Sequence, residues 1–310
     1  MNWVAAAVMG FSALGAGERV PVILDTDLGD DIDDTWALAM MLGMPEIDLK
    51  LVVTAAEDTP TKTRLTARIL QDMDRMDIDI GTGVETGDRE LNQVKYLDGF
   101  DYDKYPGKVY DDGVARMIEI IEASDEMITI CVVGPQTNMK AALERSPGIA
   151  KKARIVSMAG SVHIGYNGIE KRMPEWNVFR DLEASKAVFA APWDITIAPL
   201  DICGTLRMTG DHYKAIAESD NPLSAVTMAN YAIWKQRDKY PEGESSVLFD
   251  TVAVYLCVDD ALCEMETINM SLGERGQTIP DESGRPVRCA LKWKNGESAF
   301  KDLLVDSMTE

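Results

Sequence analysis

The feature that most constrains the fold is an alternation of short apolar runs with segments of helical spacing, which begins near Val20 and repeats along the chain. Strands separated by helices of about ten residues predict a parallel sheet that is covered by helices on both faces. We therefore expect an α/β fold with a mainly parallel sheet flanked by helices. The predicted strands cover residues 20–24, 49–54, 78–81, 127–133, 155–159 and 195–200. The predicted helices cover residues 33–42, 61–73, 113–123, 138–143 and 182–190.

The rest of the chain shows no linker that would mark a second domain. Residues 208–255 are aromatic-rich with mainly helical spacing. Residues 265–302 are β-like, with turn residues at 281–284 and 294–296. Since 310 residues are within the range of one α/β enzyme, we expect a single domain over residues 18–310.

Residues 1–17, MNWVAAAVMGFSALGAG, form an apolar leader. Its apolar middle and small-residue end are typical of an export signal, which would place the protein in the periplasm or outside the cell. The leader has no Lys or Arg near its start. A partly ordered extension on a cytoplasmic protein therefore stays as the alternative.

The composition limits the classes of partner. The chain carries 52 acidic against 31 basic residues, a net charge of −21. Such a surface repels polyanions, so we expect a small neutral molecule and a cation as partners, and neither nucleic acid nor an anionic membrane. The five cysteines form no C-x-x-C pair and mostly lie in apolar stretches. They predict buried thiols, not a disulfide framework or a zinc site.

The densest chemical signal is the segment DTDLGDDIDD, residues 25–34, in which six of ten residues are aspartates. Two carboxylates about 4 Å apart repel by roughly 4 kcal/mol at an effective dielectric constant of about 20, and a cation between them removes this cost. Oxygen ligands with no His or Cys nearby favour Ca²⁺ or Mg²⁺ over Zn²⁺. Capping of the next helix is the alternative, but it does not account for Asp25 and Asp27 at the strand end.

Other polar clusters also follow strands directly, at residues 134–138, 160–177 and Asp201. In open α/β sheets the ligand site lies beyond the carboxyl ends of the strands, so we expect these clusters to converge at one edge. An Asp-x-Asp after the first strand also opens phosphatases of the haloacid dehalogenase type. Their pattern has Thr or Val where this chain has Gly29, which disfavours that alternative.

The segment DTDLGDDIDDTWAL resembles the N-terminal signature of nucleoside hydrolases of the inosine–uridine-preferring type, DxDPGxDDAxAL, with two extra residues after Gly29. Five further segments are similar to motifs of that family and occur in the same order: VGPQTN (133–138), MAG (158–160), PEWNV (174–178), LDI (200–202) and FDTVA (249–253). The resemblance implies a Rossmann-like nucleoside hydrolase architecture. It also implies calcium-dependent hydrolysis of ribonucleosides to free base and ribose.

The resemblance assigns roles by position. A calcium ion would be bound by Asp27, Asp34, Asp250 and the carbonyl of Thr137, and Asp27 would also be the general base. The ribose hydroxyls would be held by Asp33, Asp58, Glu175 and Asn177. Calcium would lower the pKa of the attacking water, a carboxylate would take its proton, and the close anions would stabilise an oxocarbenium-like ribose. Single displacement predicts inversion at the anomeric carbon.

The chain departs from the family pattern around the leaving base. Phe249 stands where many relatives have a proton-donating His, and the Tyr-rich loop at 96–110 also lacks a His. Of the two histidines, His163 lies near the predicted site and is a candidate proton donor, whereas His212 lies in a predicted surface helix. Stacking on an aromatic ring can also favour a protonating base. The candidate rings are Trp176, Tyr231, Trp234 and Phe249.

Two other functions stay open on the same scaffold. One is hydrolysis of another riboside or glycoside, which is favoured by Phe249 in place of the family's His and by Asp58 in place of its common Asn. The other is calcium-dependent sugar binding without catalysis. The resemblance also implies a homodimer or homotetramer whose partner is a small nucleoside or riboside.

Overall fold

The computed structural model describes residues 19–310, so the predicted leader at residues 1–17 lies outside the described residues. The strands of this part of the chain are β1 (Val20–Thr26), β2 (Ile47–Thr54), β3 (Ile80–Gly81), β4 (Val109–Tyr110), β5 (Ile128–Val132), β6 (Ala153–Met158), β7 (Ile195–Ala198), β8 (Cys263–Leu272), β9 (Thr278–Pro280) and β10 (Arg285–Trp293). They form one sheet in the order β4-β3-β2-β1-β5-β6-β7-β10-β8-β9.

Helices cover this sheet and fill the loops between its strands. They are α1 (Asp33–Gly43), α2 (Thr59–Asp72), α3 (Gly113–Ala123), α4 (Thr137–Arg145), α5 (Trp176–Arg180), α6 (Leu182–Ala190), α7 (Leu200–Cys203), α8 (Gly210–Ala217), α9 (Pro222–Ile233), α10 (Thr251–Leu256) and α11 (Ser298–Thr309). Within residues 19–310, none of them combines the length and apolar character that crossing a bilayer requires.

The pairing of the strands confirms the predicted α/β fold. Strands β1 to β7 pair in parallel, and β10 joins β7 in the same direction. The hairpin partners β8 and β9 extend the sheet in antiparallel fashion. Such an antiparallel edge on a parallel sheet is common in α/β proteins.

Strand β1 shows why the sheet needs helices on both faces. Val22 and Leu24 are fully buried in one hydrophobic core, and Ile23 between them is fully buried in the other. Successive side chains of a strand point to opposite faces, so the apolar run at β1 forms part of two cores at once.

The position of β1 also sets where a ligand can bind. It lies between β2 and β5, so the chain passes to one side of β1 first and to its other side later. At such a change of direction the loops at the carboxyl ends of the two strands separate and leave a crevice. The loops after β1 and β5 are therefore the expected walls of a binding site.

The C-terminal region differs in part from its prediction. Strands β8 and β10 agree with the β-like pattern, but residues 298–302 belong to the helix α11 and not to a β-like tail. Phe300, Leu304 and Met308 repeat every fourth residue and are fully buried, against α1 and α8 among others. This spacing forms one apolar helix face, which the strand-like pattern before it obscured.

The cysteine side chains are buried, as the sequence predicted. All five cysteines are free and buried. They contribute to the cores as small apolar side chains.

A close backbone approach between β3 and α3 gives a stability prediction. A Cβ added at Gly81 would lie 2.5 Å from the Cα of Gly113, which is backbone and cannot rotate away. We expect Gly81→Ala to lower the free energy of unfolding by about 1–3 kcal/mol in chemical denaturation, because the strand and helix must separate. Gly148→Ala is the matched control, since its Cβ would meet nothing within 4 Å. Equal stability of the two variants would contradict this packing.

Candidate active site

A pocket of about 520 Å³ opens at the carboxyl edge of the parallel strands, where the loops after β1, β5 and β6 meet. The structure brings together there eight of the side chains singled out from the sequence: Asp27, Asp33, Asp34, Glu175, Trp176, Asn177, Phe249 and Asp250. They come from distant parts of the chain, so the sheet topology is what assembles them.

Three carboxylates of this pocket lie close enough to share one cation. One oxygen each of Asp33, Asp34 and Asp250 lies within 4.8 Å of the other two, and all three side chains are buried. Burial, followed by the charges of neighbouring aspartates, raises the pKa of each carboxyl well above its usual range. A buried, crowded, all-oxygen group of this kind fits a hard divalent cation such as Ca²⁺ or Mg²⁺.

Asp27 lies in the same pocket but is not one of these three. It packs against Gly134, where an added Cβ would come within 3.0 Å of the Asp27 Oδ1 atom. Burial raises the pKa of Asp27 to about 6, and the ammonium of Lys62 partly opposes this effect. A carboxylate with a pKa near neutrality is suited to accept a proton from water.

Asp30, within the two-residue insertion, connects the loop after β1 to α2 and to Arg89 at the pocket. Lys62 of α2 is fully buried, and its Nζ donates to the carbonyl oxygen of Asp27 at 2.8 Å and to Asp30 Oδ2 at 3.2 Å. Arg89 Nη2 lies 2.6 Å from the same Asp30 oxygen. Because a buried ammonium is stable only with such partners, Lys62 holds the backbone that carries Asp27.

Glu175 and Asn177 form the wall where the resemblance places the sugar. Glu175 caps α5, and its Oε1 accepts the backbone N–H of Asn177 at 2.8 Å. Its Oε2 accepts the N–H groups of Gly160 and Val178, at 3.1 Å each. Burial raises the pKa of Glu175 to about 7 despite these donors. Asn177 Nδ2 donates to the carbonyl oxygen of Val133 at 2.8 Å, which fixes its side chain at the pocket.

The backbone oxygen expected at Thr137 does not lie at this pocket. Thr137 is the first residue of α4, so its carbonyl points along the helix axis, and its hydroxyl donates to Asp181 at 2.7 Å. Val133, which directly follows β5, lines the pocket instead. Because α4 begins at Thr137, the carbonyl of this motif residue is part of the helix and does not reach the pocket. The backbone group that lies at the pocket is that of Val133.

Two of the other predicted contacts also lie elsewhere. Asp58 caps α2 by accepting the N–H of Thr61 at 2.9 Å, and it does not line the pocket. His163 is exposed in the loop after β6, where its backbone N–H donates to Asp201 at 2.7 Å. Asp58 is the acceptor that the N-terminus of α2 needs, whereas Asp201 supplies the acceptor for the turn that carries His163.

Aromatic rings form much of the remaining wall. Phe249 and Tyr166 meet edge to face with centroids 6.0 Å apart, and Tyr240 stacks on Trp234 at 6.0 Å. Tyr231 and Trp234, two of the four candidate rings, are buried in the core behind Tyr240 and do not line the pocket. The side chains available to a ligand are therefore Tyr166, Trp176, Tyr240 and Phe249.

Several pocket residues were not identified from the sequence. Arg89 and Asn92 come from a long loop without periodic pattern. Gln236 and Tyr240 lie between α9 and α10, where the sequence predicted mainly helical structure and not a loop at the pocket. Asn167 adopts a left-handed backbone with φ of 58°, which is uncommon outside glycine and is frequent at functional loops. Asp30 and Asp31 belong to the recognised cluster, but only the structure shows that they face the pocket.

The sequence and the fold of this chain were compared with those of known proteins. The model of the family described as inosine-uridine preferring nucleoside hydrolase matches residues 22–302. A pyrimidine-specific ribonucleoside hydrolase, RihA, of Enterobacter sp. (strain 638) is 33% identical over 221 residues, which cover 68% of this chain and 69% of that protein. The RihA of Shewanella sp. (strain MR-4) is 28% identical, over 93% and 96% of the two chains. The structure of a plant nucleoside hydrolase superposes with a TM-score of 0.78 at 25% identity, covering 94% and 99% of the chains.

Proposed function

Because this chain belongs to the inosine-uridine preferring nucleoside hydrolase family, and is thereby an N-glycosyl hydrolase of ribonucleosides, we propose that it works with a bound Ca²⁺ and with Asp27 as its general base. The observation that carries the proposal is the buried group of Asp33, Asp34 and Asp250 beside Asp27 in one pocket. Carboxylate and carbonyl oxygens are the ligands that Ca²⁺ prefers.

The proposed ligands combine the motif positions with the geometry of the pocket. Asp34 and Asp250 would hold the ion, with Asp27 and the carbonyl oxygen of Val133 completing the protein ligands. Asp33, whose carboxylate oxygen lies within 4.8 Å of those of Asp34 and Asp250, would bind the ribose hydroxyls. When bound, the ion would orient a water molecule and lower its pKa.

The chain's own residues would perform the rest of the reaction. Asp27 would take the proton of the attacking water, and burial already raises the pKa of its carboxyl toward neutrality. Glu175 and Asn177 are held by backbone hydrogen bonds, so they would position the sugar without rearrangement. The surrounding carboxylates would stabilise the positive charge that builds on the ribose as the glycosidic bond breaks.

Removal of the metal tests this proposal directly. Both bacterial relatives are named as pyrimidine-specific, so uridine and cytidine are the first substrates to incubate with the purified protein, followed by inosine. We expect chelation to lower the release of free ribose at least about a hundredfold, and added Ca²⁺ to restore it. Full activity after chelation would exclude the metal role. Absence of ribose from every nucleoside in the presence of Ca²⁺ would contradict the proposed hydrolysis itself.

A further inference from the structure

Within the described residues, the pocket contains no histidine that could donate a proton to a leaving base. When the glycosidic bond breaks, its electron pair goes to the base, and a neutral base then requires a proton donor. Neither of the two histidines lines the pocket, since His163 is exposed in its loop and His212 pairs with Asp302. Phe249 contributes only a hydrocarbon ring. The phenols of Tyr166 and Tyr240 also line the pocket, but burial raises the pKa of both, which makes them poor acids. The pocket is therefore poorly equipped to activate a neutral leaving group.

Most of the carboxylates in the pocket already have partners or roles. Asp30 pairs with both Lys62 and Arg89, and among the described residues Arg89 is the one basic side chain that lines the pocket. Both oxygens of Glu175 accept backbone N–H groups. The proposed metal and its water engage four more, which are Asp27, Asp33, Asp34 and Asp250. Of the seven acidic side chains within residues 19–310 that line the pocket, Asp31 is left. Burial raises its pKa, and the charge of Lys239 is the basic influence that opposes this rise.

Asp31 lies in the two-residue insertion and is half-buried at the pocket wall. Its Oδ1 accepts the N–H of Ile32 at 2.7 Å, an arrangement that holds the side chain without neutralising it. Tyr240 is close by: burial, and then the charge of Asp31, raises the pKa of the tyrosine. The ring of Tyr240 is in turn fixed by stacking on Trp234. A carboxylate next to rigid aromatic rings is the arrangement that binds organic cations.

We propose that this site, if it is the hydrolase site described above, acts on N-ribosyl pyridinium compounds, in which a six-membered base carries a positive charge. Asp31 and Tyr240 would bind the cationic ring, with Phe249 and Tyr166 as the other aromatic contacts. The proposal also agrees with the single six-membered ring on which the pyrimidine-specific relatives are named to act.

The chemistry balances without a proton donor. As the bond between C1′ and the ring nitrogen breaks, its electron pair neutralises the pyridinium, which leaves as a neutral pyridine. The positive charge moves to the ribose, where Asp33 and its acidic neighbours stabilise it. The oxygen of water bonds to C1′, and one proton passes from that water to Asp27. The products are ribose, the pyridine and one proton.

Nicotinamide riboside and uridine are the probes, assayed with Ca²⁺ on the full chain and on Asp31→Asn. An Asn keeps the acceptor for the N–H of Ile32, so only the charge is lost. We expect the parent kcat/KM for nicotinamide riboside to exceed that for uridine by at least about tenfold. Asp31→Asn should lower the kcat/KM for nicotinamide riboside about tenfold more than the kcat/KM for uridine. The intrinsic lability of the pyridinium does not affect this comparison, because it is the same with both proteins. Asp111→Asn, an exposed change outside the pocket, should alter neither kcat/KM.

A second variant tests the missing proton donor. Phe249→His should raise the hydrolysis of uridine or inosine relative to that of nicotinamide riboside, since a neutral leaving group gains from an acid and a cationic one does not. Faster hydrolysis of uridine than of nicotinamide riboside by the parent protein would overturn the inference, as would an equal loss for both substrates in Asp31→Asn. If neither substrate releases ribose, the proposed function itself fails instead.

Discussion

Replacing Asp27 with Asn is expected to lower kcat for ribonucleoside hydrolysis by about a hundred- to ten-thousand-fold, the range that loss of a general base produces. The amide has the same shape as the carboxylate, so the contact with Gly134 and the hydrogen bond from Lys62 to the main-chain oxygen stay available. What is lost is the ability to take a proton from water and one negative charge beside the proposed metal. The free energy of unfolding should therefore change much less than kcat does.

The measurement is a steady-state assay of ribose release, combined with a calcium titration by calorimetry. Asp27→Asn should bind Ca²⁺ more weakly, and activity should stay low even when the ion is saturating. The matched control is Asp58→Asn, because the family resemblance placed Asp58 at the sugar while the structure makes it the cap of α2. Since Asn caps a helix about as well as Asp, this variant should keep parental activity and stability.

The two variants separate three outcomes. A fully active Asp27→Asn protein would remove Asp27 from the mechanism. Activity that returns completely at high Ca²⁺ would make Asp27 a metal ligand without a role as base. Loss of activity in Asp58→Asn would mean that the cap also supports substrate binding, contrary to its place outside the pocket.

The fold was predictable because burial on both sheet faces leaves a strong pattern in the sequence. The apolar run at β1 and the helical spacing in α3 and α6 correspond closely to the observed elements. The antiparallel pairing of β8 with β10 and the helix α11 were not resolved, since both depend on contacts with distant elements. Short apolar segments span too few residues for their hydrophobic periodicity to distinguish a strand from a helix.

The site was predictable to the extent that strand ends determine it. Asp27, Asp34 and Asp250 reach the pocket from positions that the motif alone indicates. A motif does not show where a helix begins. The motif therefore indicates Thr137 as the residue that offers a backbone carbonyl, although Val133 is the residue at the pocket. Pocket residues that lie in long loops can be identified only from the folded structure.

A second large effect is expected in the pH dependence of stability without calcium. Burial is the main cause that raises the pKa of Asp25 and Glu175 to about 7, and of Asp27 and Asp31 to about 6. A carboxyl whose pKa is higher in the folded than in the unfolded chain binds more protons when folded. The calcium-free protein should therefore be most stable near pH 4 and lose stability as the pH rises to about 7.

The loss should be large because Asp25, Asp27 and Glu175 are buried. A shift of two to three pKa units corresponds to roughly 3–4 kcal/mol for a single group. The proposed Ca²⁺ would bind the ionised carboxylates of the folded chain, so it should stabilise the protein strongly near pH 7 and little near pH 5. Thermal unfolding with chelator should accordingly give a higher Tm at about pH 5 than at about pH 7.5, and millimolar Ca²⁺ should reverse that order.

Asp25→Asn distinguishes burial from metal binding in this experiment. Asp25 is fully buried and accepts a hydrogen bond from Asn138 at 2.7 Å, but it does not line the pocket. Its amide variant should show a smaller loss of Tm with rising pH in chelator, while the gain from Ca²⁺ is preserved. A calcium-free protein whose Tm rises from about pH 5 to about pH 7.5 would show that these carboxyls are not destabilised by burial. The electrostatic argument for a cation at Asp33, Asp34 and Asp250 would then lose its basis, because that argument depends on the same burial.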